Sequence, residues 1–136
     1  MISSESVSLE DARRVITAGE AKATELGQPM KIAVVDAGGN LVAHARMDGA
    51  WIGSVDISIN KAFTSRAFDI TTKDLGDNSG PDGQFFGIHA SNQGRIMIFA
   101  GGLPLQHNAA VVGAVGVSGG TGAQDQEVAE AAAAAL

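Results

Sequence analysis

The chain contains no cysteine, a single tryptophan and only three prolines. Without cysteine there is no disulfide, no thiolate metal site, no iron–sulfur cluster and no cysteine nucleophile. Cations are also few: nine lysines and arginines stand against fifteen acidic residues, for a formal net charge of −6. They form no cluster. Nucleic acid and anionic membrane surfaces both require a focused positive field, so neither is expected as a partner. Nowhere do about eighteen apolar residues run together, as a membrane-spanning helix requires. The first residues, Met1-Ile2-Ser3-Ser4-Glu5-Ser6, supply neither the basic nor the apolar region of a secretion signal, and a cytoplasmic address is the expectation.

The 136 residues suit one domain with a single modest core, and one domain over 1–136 is expected. An apolar content of 45% with 18% charged residues is the balance of an ordered globular chain. Ser8 followed by Asp11 reads as a helix start, and Ala12, Val15, Ile16, Ala23 and Leu26 recur on one helical face before Gly27 and Pro29 stop it. Lys31–Asp36 is β-branched and Leu41–Met47 alternates; the turn residues Gly38, Gly39 and Asn40 make them a hairpin. Ile52, Val55, Ile59, Ala62 and Phe63 return to helical spacing, which predicts a second helix between Ile52 and Phe68 with those residues facing the core. Thr71 or Thr72 caps a short turn reaching Leu75, and Gly76 to Gly87 reads as a loop. A third strand is expected at Arg95–Ala100, punctuated by Gly101-Gly102-Leu103-Pro104, and a fourth at Ala109–Val117. Thr121, with Gln124 to complete a capping box, begins a last helix that runs into the alanine-rich end. The order α-β-β-α-β-β-α, with each strand pair closely connected, predicts an α+β fold: an antiparallel sheet flanked by helices.

Several groupings have both a chemical and a structural reading. Gly116-Val117-Ser118-Gly119-Gly120 matches G-x-S-x-G between a strand and a helix, but His44, His89 and His107 all precede the serine, against the chain order of a nucleophile elbow. The glycines equally serve a tight turn. The backbone N–H groups of Gly119, Gly120 and Thr121 lie at a helix start, where they either hold a ligand carboxylate or are capped by Thr121. The three histidines have no metal-binding spacing, although a folded site could gather them, and Met47 and Met97 read as core fillers. Arg46, Asp48 and Trp51, followed by Lys61 and Thr64, bring cations, a carboxylate and the tryptophan to one strand-to-helix corner. That mixture suits a pocket for a flat acidic ligand; surface ion pairs beside a core tryptophan explain it equally well.

Taken together, the blocks Ile32–Val42, Arg46–Ala50, Lys61–Thr64, Gly101–Pro104 and Gly113–Gly120 with Asp125 resemble, in order and spacing from about Ser8 onward, the HbpS/GlcG family. The resemblance implies a sheet with flanking helices, homo-oligomers from dimers to octamers, haem or related tetrapyrrole binding between subunits, and a role in haem degradation or iron handling. Other relatives accompany glycolate or diol catabolism or form the C-terminal domain of a corrinoid adenosyltransferase. In secreted haem-binding members a threonine lies at the iron, which directs attention to Thr64 and Thr71, with His44 and His89 as further candidates for haem iron. The adenosyltransferase-domain relatives use a histidine of their first helix, and the first helix here has none. The leading expectation is therefore an oligomeric binder of haem or another flat anionic small molecule. The rivals are an enzyme of small hydroxy- or keto-acid or diol catabolism with Lys61 or His44 as acid or base, and a ligand-free interaction subunit.

Overall fold

A computed structural model describes all residues, Met1–Leu136. The elements run α1 (Leu9–Leu26), β1 (Lys31–Asp36), β2 (Leu41–Arg46), α2 (Ser54–Phe68), α3 (Thr72–Asp77), β3 (Gly102–His107), β4 (Ala110–Ser118) and α4 (Gly122–Ala133), with single 3₁₀ turns at Ile88–Ala90 and Asn92–Gly94. Local signals set most of the ends. The Ser8 hydroxyl accepts from the Asp11 N–H, the Asp11 carboxylate accepts from the Ser8 N–H, and Gly27 closes α1 in the left-handed region at φ 71°. Thr121 and Gln124 make the same reciprocal pair at the start of α4.

The four strands form one antiparallel sheet in the order β2-β1-β4-β3. Two hairpins are thus joined through β1 and β4, and the α+β class read from the sequence is the observed one. α1 and α4 pack together on one face. There Val15, Ile16, Ile32, Val34, Val115, Val117 and Val128 make the main core. α2 covers the other face, where the apolar contacts shrink to Ala33, Val35, Ala62 and Ala114 with Ile59 at their margin. The thinness of that layer has a backbone cause. A Cβ on Gly116 would stand 2.0 Å from the Ser58 carbonyl oxygen, so the glycine lets the helix backbone lie directly on the strand.

This contact overturns the expected orientation of α2. Its buried residues are Ser54, Ser58, Lys61, Ala62, Thr64 and Ser65. Ile52 is 84% exposed, and Val55, Ile59 and Phe63 are only partly covered. Small and polar side chains fill the narrow helix–sheet gap, and the larger apolar ones are displaced outward.

The third strand is also corrected. Arg95–Ala100 has no strand partner, and the segment expected to interrupt the chain, Gly101–Pro104, contains the start of β3. Gly102 fits there because a side chain would meet the Lys61 carbonyl oxygen and Ser65, and its N–H is taken by the Thr72 hydroxyl at 2.8 Å. The Gly101 carbonyl accepts from the Val117 N–H, so by alternation the nitrogen of Pro104 turns to the open edge, where no ladder bond is lost. β3 returns into β4 through Asn108 and Ala109, both left-handed at φ 50° and 65°, as the two-residue hairpin twist requires.

Candidate functional site

One end of the sheet collects the polar side chains. β1 begins there at Lys31, β2 ends at Arg46 and β4 at Ser118, and Lys31 pairs directly with both. Because Ile32 and Val34 point to the α1/α4 core, alternation places Lys31 on the α2 face with Ala33 and Val35. His44 and Arg46 share that face across β2.

At this end Lys61 reaches back from α2. Its ammonium donates to the Val117 carbonyl at 2.8 Å and to Asp125 Oδ2 at 2.9 Å, and lies 4.7 Å from the Phe99 ring centre. Asp125 Oδ1 accepts from the Gly120 N–H at 2.9 Å. The two side chains are 0% and 4% exposed, so this is an enclosed ion pair linking α2, β4 and α4. Burial pushes Lys61 below the usual lysine value and Asp125 above the usual carboxylate value, while their attraction opposes both shifts.

Beside it lies a cationic group with no acid. Lys31 is fully buried, and no protein atom accepts a hydrogen bond from its ammonium. Burial first, and the Arg46 charge second, hold it below the usual lysine range. His44 Nε2 lies 3.2 Å from Ser58 Oγ, whose hydroxyl donates to the Val55 carbonyl. Burial, then Lys31 and Arg46, keep the imidazole below its ordinary value. Arg46 is exposed.

The residues singled out in the sequence thus separate. Lys61 is committed to Asp125 rather than open to a ligand. Thr64 is buried, its hydroxyl donating to the Asn60 carbonyl and accepting from the Met97 N–H. Thr71 caps α3 by accepting from the Asp74 N–H. Gly120 and Thr121 give their N–H groups to Asp125 and Gln124, and Gly119, at φ 140°, packs on the Pro29 and Met30 backbone. Ser118 is the buried last residue of β4, not an exposed turn. Arg46, Asp48 and Trp51 remain together on the surface connection between β2 and α2, with Trp51 62% exposed. His89 is exposed on its 3₁₀ turn, and His107 pairs with Glu5 at 3.2 Å. No three acidic or histidine side chains gather as a metal site, and no helix is long and apolar enough to cross a membrane.

Lys31 and Ser58 were not singled out in the sequence. A signal for Lys31 existed: β1 reads as an uninterrupted apolar run after its first residue, which marks a strand covered on both faces. A lysine opening such a strand shares a buried face with the residues two and four positions on.

The fold and this site define a class of small α+β domain in which helices sandwich an antiparallel sheet and polar groups gather at one sheet end. The chain belongs to the family described as haem degrading protein HbpS-like, whose model matches residues 7–134. It is 45% identical over 126 residues, 93% of this chain and 89% of the relative, to an uncharacterized 15.0 kDa protein in the dhaT-dhaS intergenic region of Citrobacter freundii. The crystal structure of Klebsiella pneumoniae protein ORFY superimposes with a TM-score of 0.96 at 40% identity, covering 100% of this chain and 96% of that one. A crystal structure of a PduOC:heme complex does so with a TM-score of 0.91 at 31% identity, covering 96% and 94%.

Within the chain itself a haem finds no enclosed pocket. The three surface concavities, of about 330, 480 and 480 Å³, are lined mainly by polar or small residues, so none offers a macrocycle an enclosed apolar wall. Apolar side chains suited to a flat ring face outward at Trp51 and Ile52, on the connection that follows Arg46, and at Phe86 and Phe99.

Proposed function

We propose that the chain is a subunit of a homo-oligomer that binds haem, or a related flat anionic ring, at a surface shared between copies. The observation that carries this reading is the outward-facing Trp51 and Ile52 next to Arg46, on a subunit without an apolar cavity of its own. A ring laid on Trp51 and Ile52 is shielded from water only if a second copy closes over it. Arg46 supplies a cation for a ring carboxylate at the edge of that surface, with Asp48 as its polar rim. The haem complex of a 31%-identical neighbour and the family description support the choice of ligand. Of the iron-ligand candidates, His89 is an exposed imidazole, whereas Thr64, Thr71 and His44 already have partners within the subunit. Bound haem would supply redox-active iron, and turnover of the ring is the further role the family description suggests.

The test is a haemin titration followed at the Soret band, with size-exclusion chromatography before and after. Saturable binding is expected, at least tenfold weaker in Trp51→Ala and spectrally altered in His89→Ala, with Thr64→Ala, Thr71→Ala and His44→Ala beside them. Non-saturating binding, unchanged in every variant, would end this reading. Loss of the Soret band with ascorbate and oxygen would extend it to degradation.

A further inference from the structure

The cationic group at the sheet end is better matched to a ligand than to the fold. Lys31, His44 and Arg46 share one face of β1 and β2; burial first, and the neighbouring positive charges second, disfavour the charged forms of Lys31 and His44, and no acid is paired with either. The carboxylate at this end of the sheet that is buried, Asp125, is held by Lys61 and Gly120. Burying an ammonium with no acceptor is costly, and a stable fold gains nothing from it. Around it stand hydroxyls: Ser58 beside His44, Ser118 opposite Lys31 in the sheet, and Ser54 one turn before Ser58, all buried.

We propose that this cluster is an anchor for a single carboxylate group, with Lys31 Nζ and the Arg46 guanidinium as its two cationic contacts and the Ser54 and Ser118 hydroxyls as neutral donors. The concavities of the subunit lie elsewhere, so the anchor takes a head group only. Arg46, the exposed member, swings aside to admit it, and the body of the ligand lies outside, toward Trp51. The proposal deepens the functional reading above by naming the chemistry that orients the ligand. It rests on that reading only for the body of the ligand, since a small free acid and a ring propionate present the same group.

Benzoate and benzamide are the probes, alike in shape and different in charge. Titrations of the full chain at constant ionic strength, read by calorimetry and by the His44 ring resonances, are expected to give saturable benzoate binding with benzamide at least tenfold weaker. Lys31→Met should weaken benzoate at least tenfold and leave benzamide unchanged. In the absence of probe the same variant should melt higher than the parent, because it removes the unanswered ammonium. Arg46→Met, at an exposed position, repeats the affinity test independently of any effect of the Lys31 change on folding. Equal response to the two probes, or benzoate affinity unchanged in both variants, overturns the anchor, as does an oligomer that falls apart in Lys31→Met with probe binding intact. Haemin and its dimethyl ester then separate the sources. Weakening by Lys31→Met of haemin but not of the ester marks a ring propionate, whereas benzoate binding with no haemin binding keeps the anchor and removes the haem reading.

Discussion

Replacing Asp125 by alanine leaves the Lys61 ammonium enclosed, with only the Val117 carbonyl and the Phe99 ring to face. The pair is separated by 2.9 Å and its side chains are 0% and 4% exposed, so water cannot take the carboxylate's place without opening the helix–sheet gap. Removing one member of such a pair costs about 3–5 kcal/mol, and the stranded Gly120 N–H adds about 1 kcal/mol. For a domain of this size that is a fall in melting temperature of roughly 10–20 °C. Replacing both partners with apolar side chains, Lys61→Met with Asp125→Leu, removes the unpaired charge. The double variant should lose no more than about 2 kcal/mol, since well-packed apolar substitutes for buried ion pairs are often neutral. Urea unfolding at fixed subunit concentration, with both singles and the double, gives the coupling energy directly. Additive single costs, or an Asp125→Ala cost below about 1 kcal/mol, would show that the ion pair does not hold α2 to α4.

The hairpin turn and the imidazole yield two further expectations. Ala109 occupies the left-handed region at φ 65°, which costs a residue with a Cβ about 1–2 kcal/mol, so Ala109→Gly should stabilise the chain by roughly 1 kcal/mol in the same urea assay. His44 is held below its ordinary value by burial and by Lys31 and Arg46, so on acidification the unfolded chain takes the proton first. Stability should therefore fall as the pH drops from above 6.5 to the folded-state value and level off beneath it. His44→Gln should flatten that slope between pH 7.5 and 5.5 on the order of one titrating group, and an unchanged slope would assign it elsewhere.

What was legible in the sequence was local. Ser8 with Asp11, Thr121 with Gln124, Gly27 and the Gly38–Asn40 turn each act on the neighbouring few residues, and α1, α4 and the β1–β2 hairpin stand where those signals place them. The errors came where a contact across the fold changes what a residue type means. Gly101 and Gly102 read as a chain break, yet they are glycines because the α2 and β4 backbones press against them. Pro104 was read as part of that punctuation, yet it lies within β3, whose open edge spares its nitrogen a ladder bond. The apolar stripe of α2 pointed to the core by spacing alone, but Gly116 brings the helix so close that small and polar residues lie beneath it and the larger apolar ones turn outward. Arg46, Asp48 and Trp51 were read as candidates from their types and adjacency, and they lie together on one surface connection. Lys61 was taken as open because its partner lies 64 residues away, and Lys31 was overlooked because a lysine at the head of an apolar strand looks solvated.

The sheet order also sets a timetable. Each hairpin closes over a short turn, but the seam that joins them pairs residue 31 with residue 118 and cannot form until nearly the whole chain is available. Closing so long a loop delays the pairing, and topologies dominated by distant contacts fold slowly for that reason. Until then, β1 carries its apolar residues on an open strand edge, ready to pair with the wrong neighbour. The vulnerable moment for this chain is therefore the interval on the ribosome between the completion of its first hairpin and the arrival of β4.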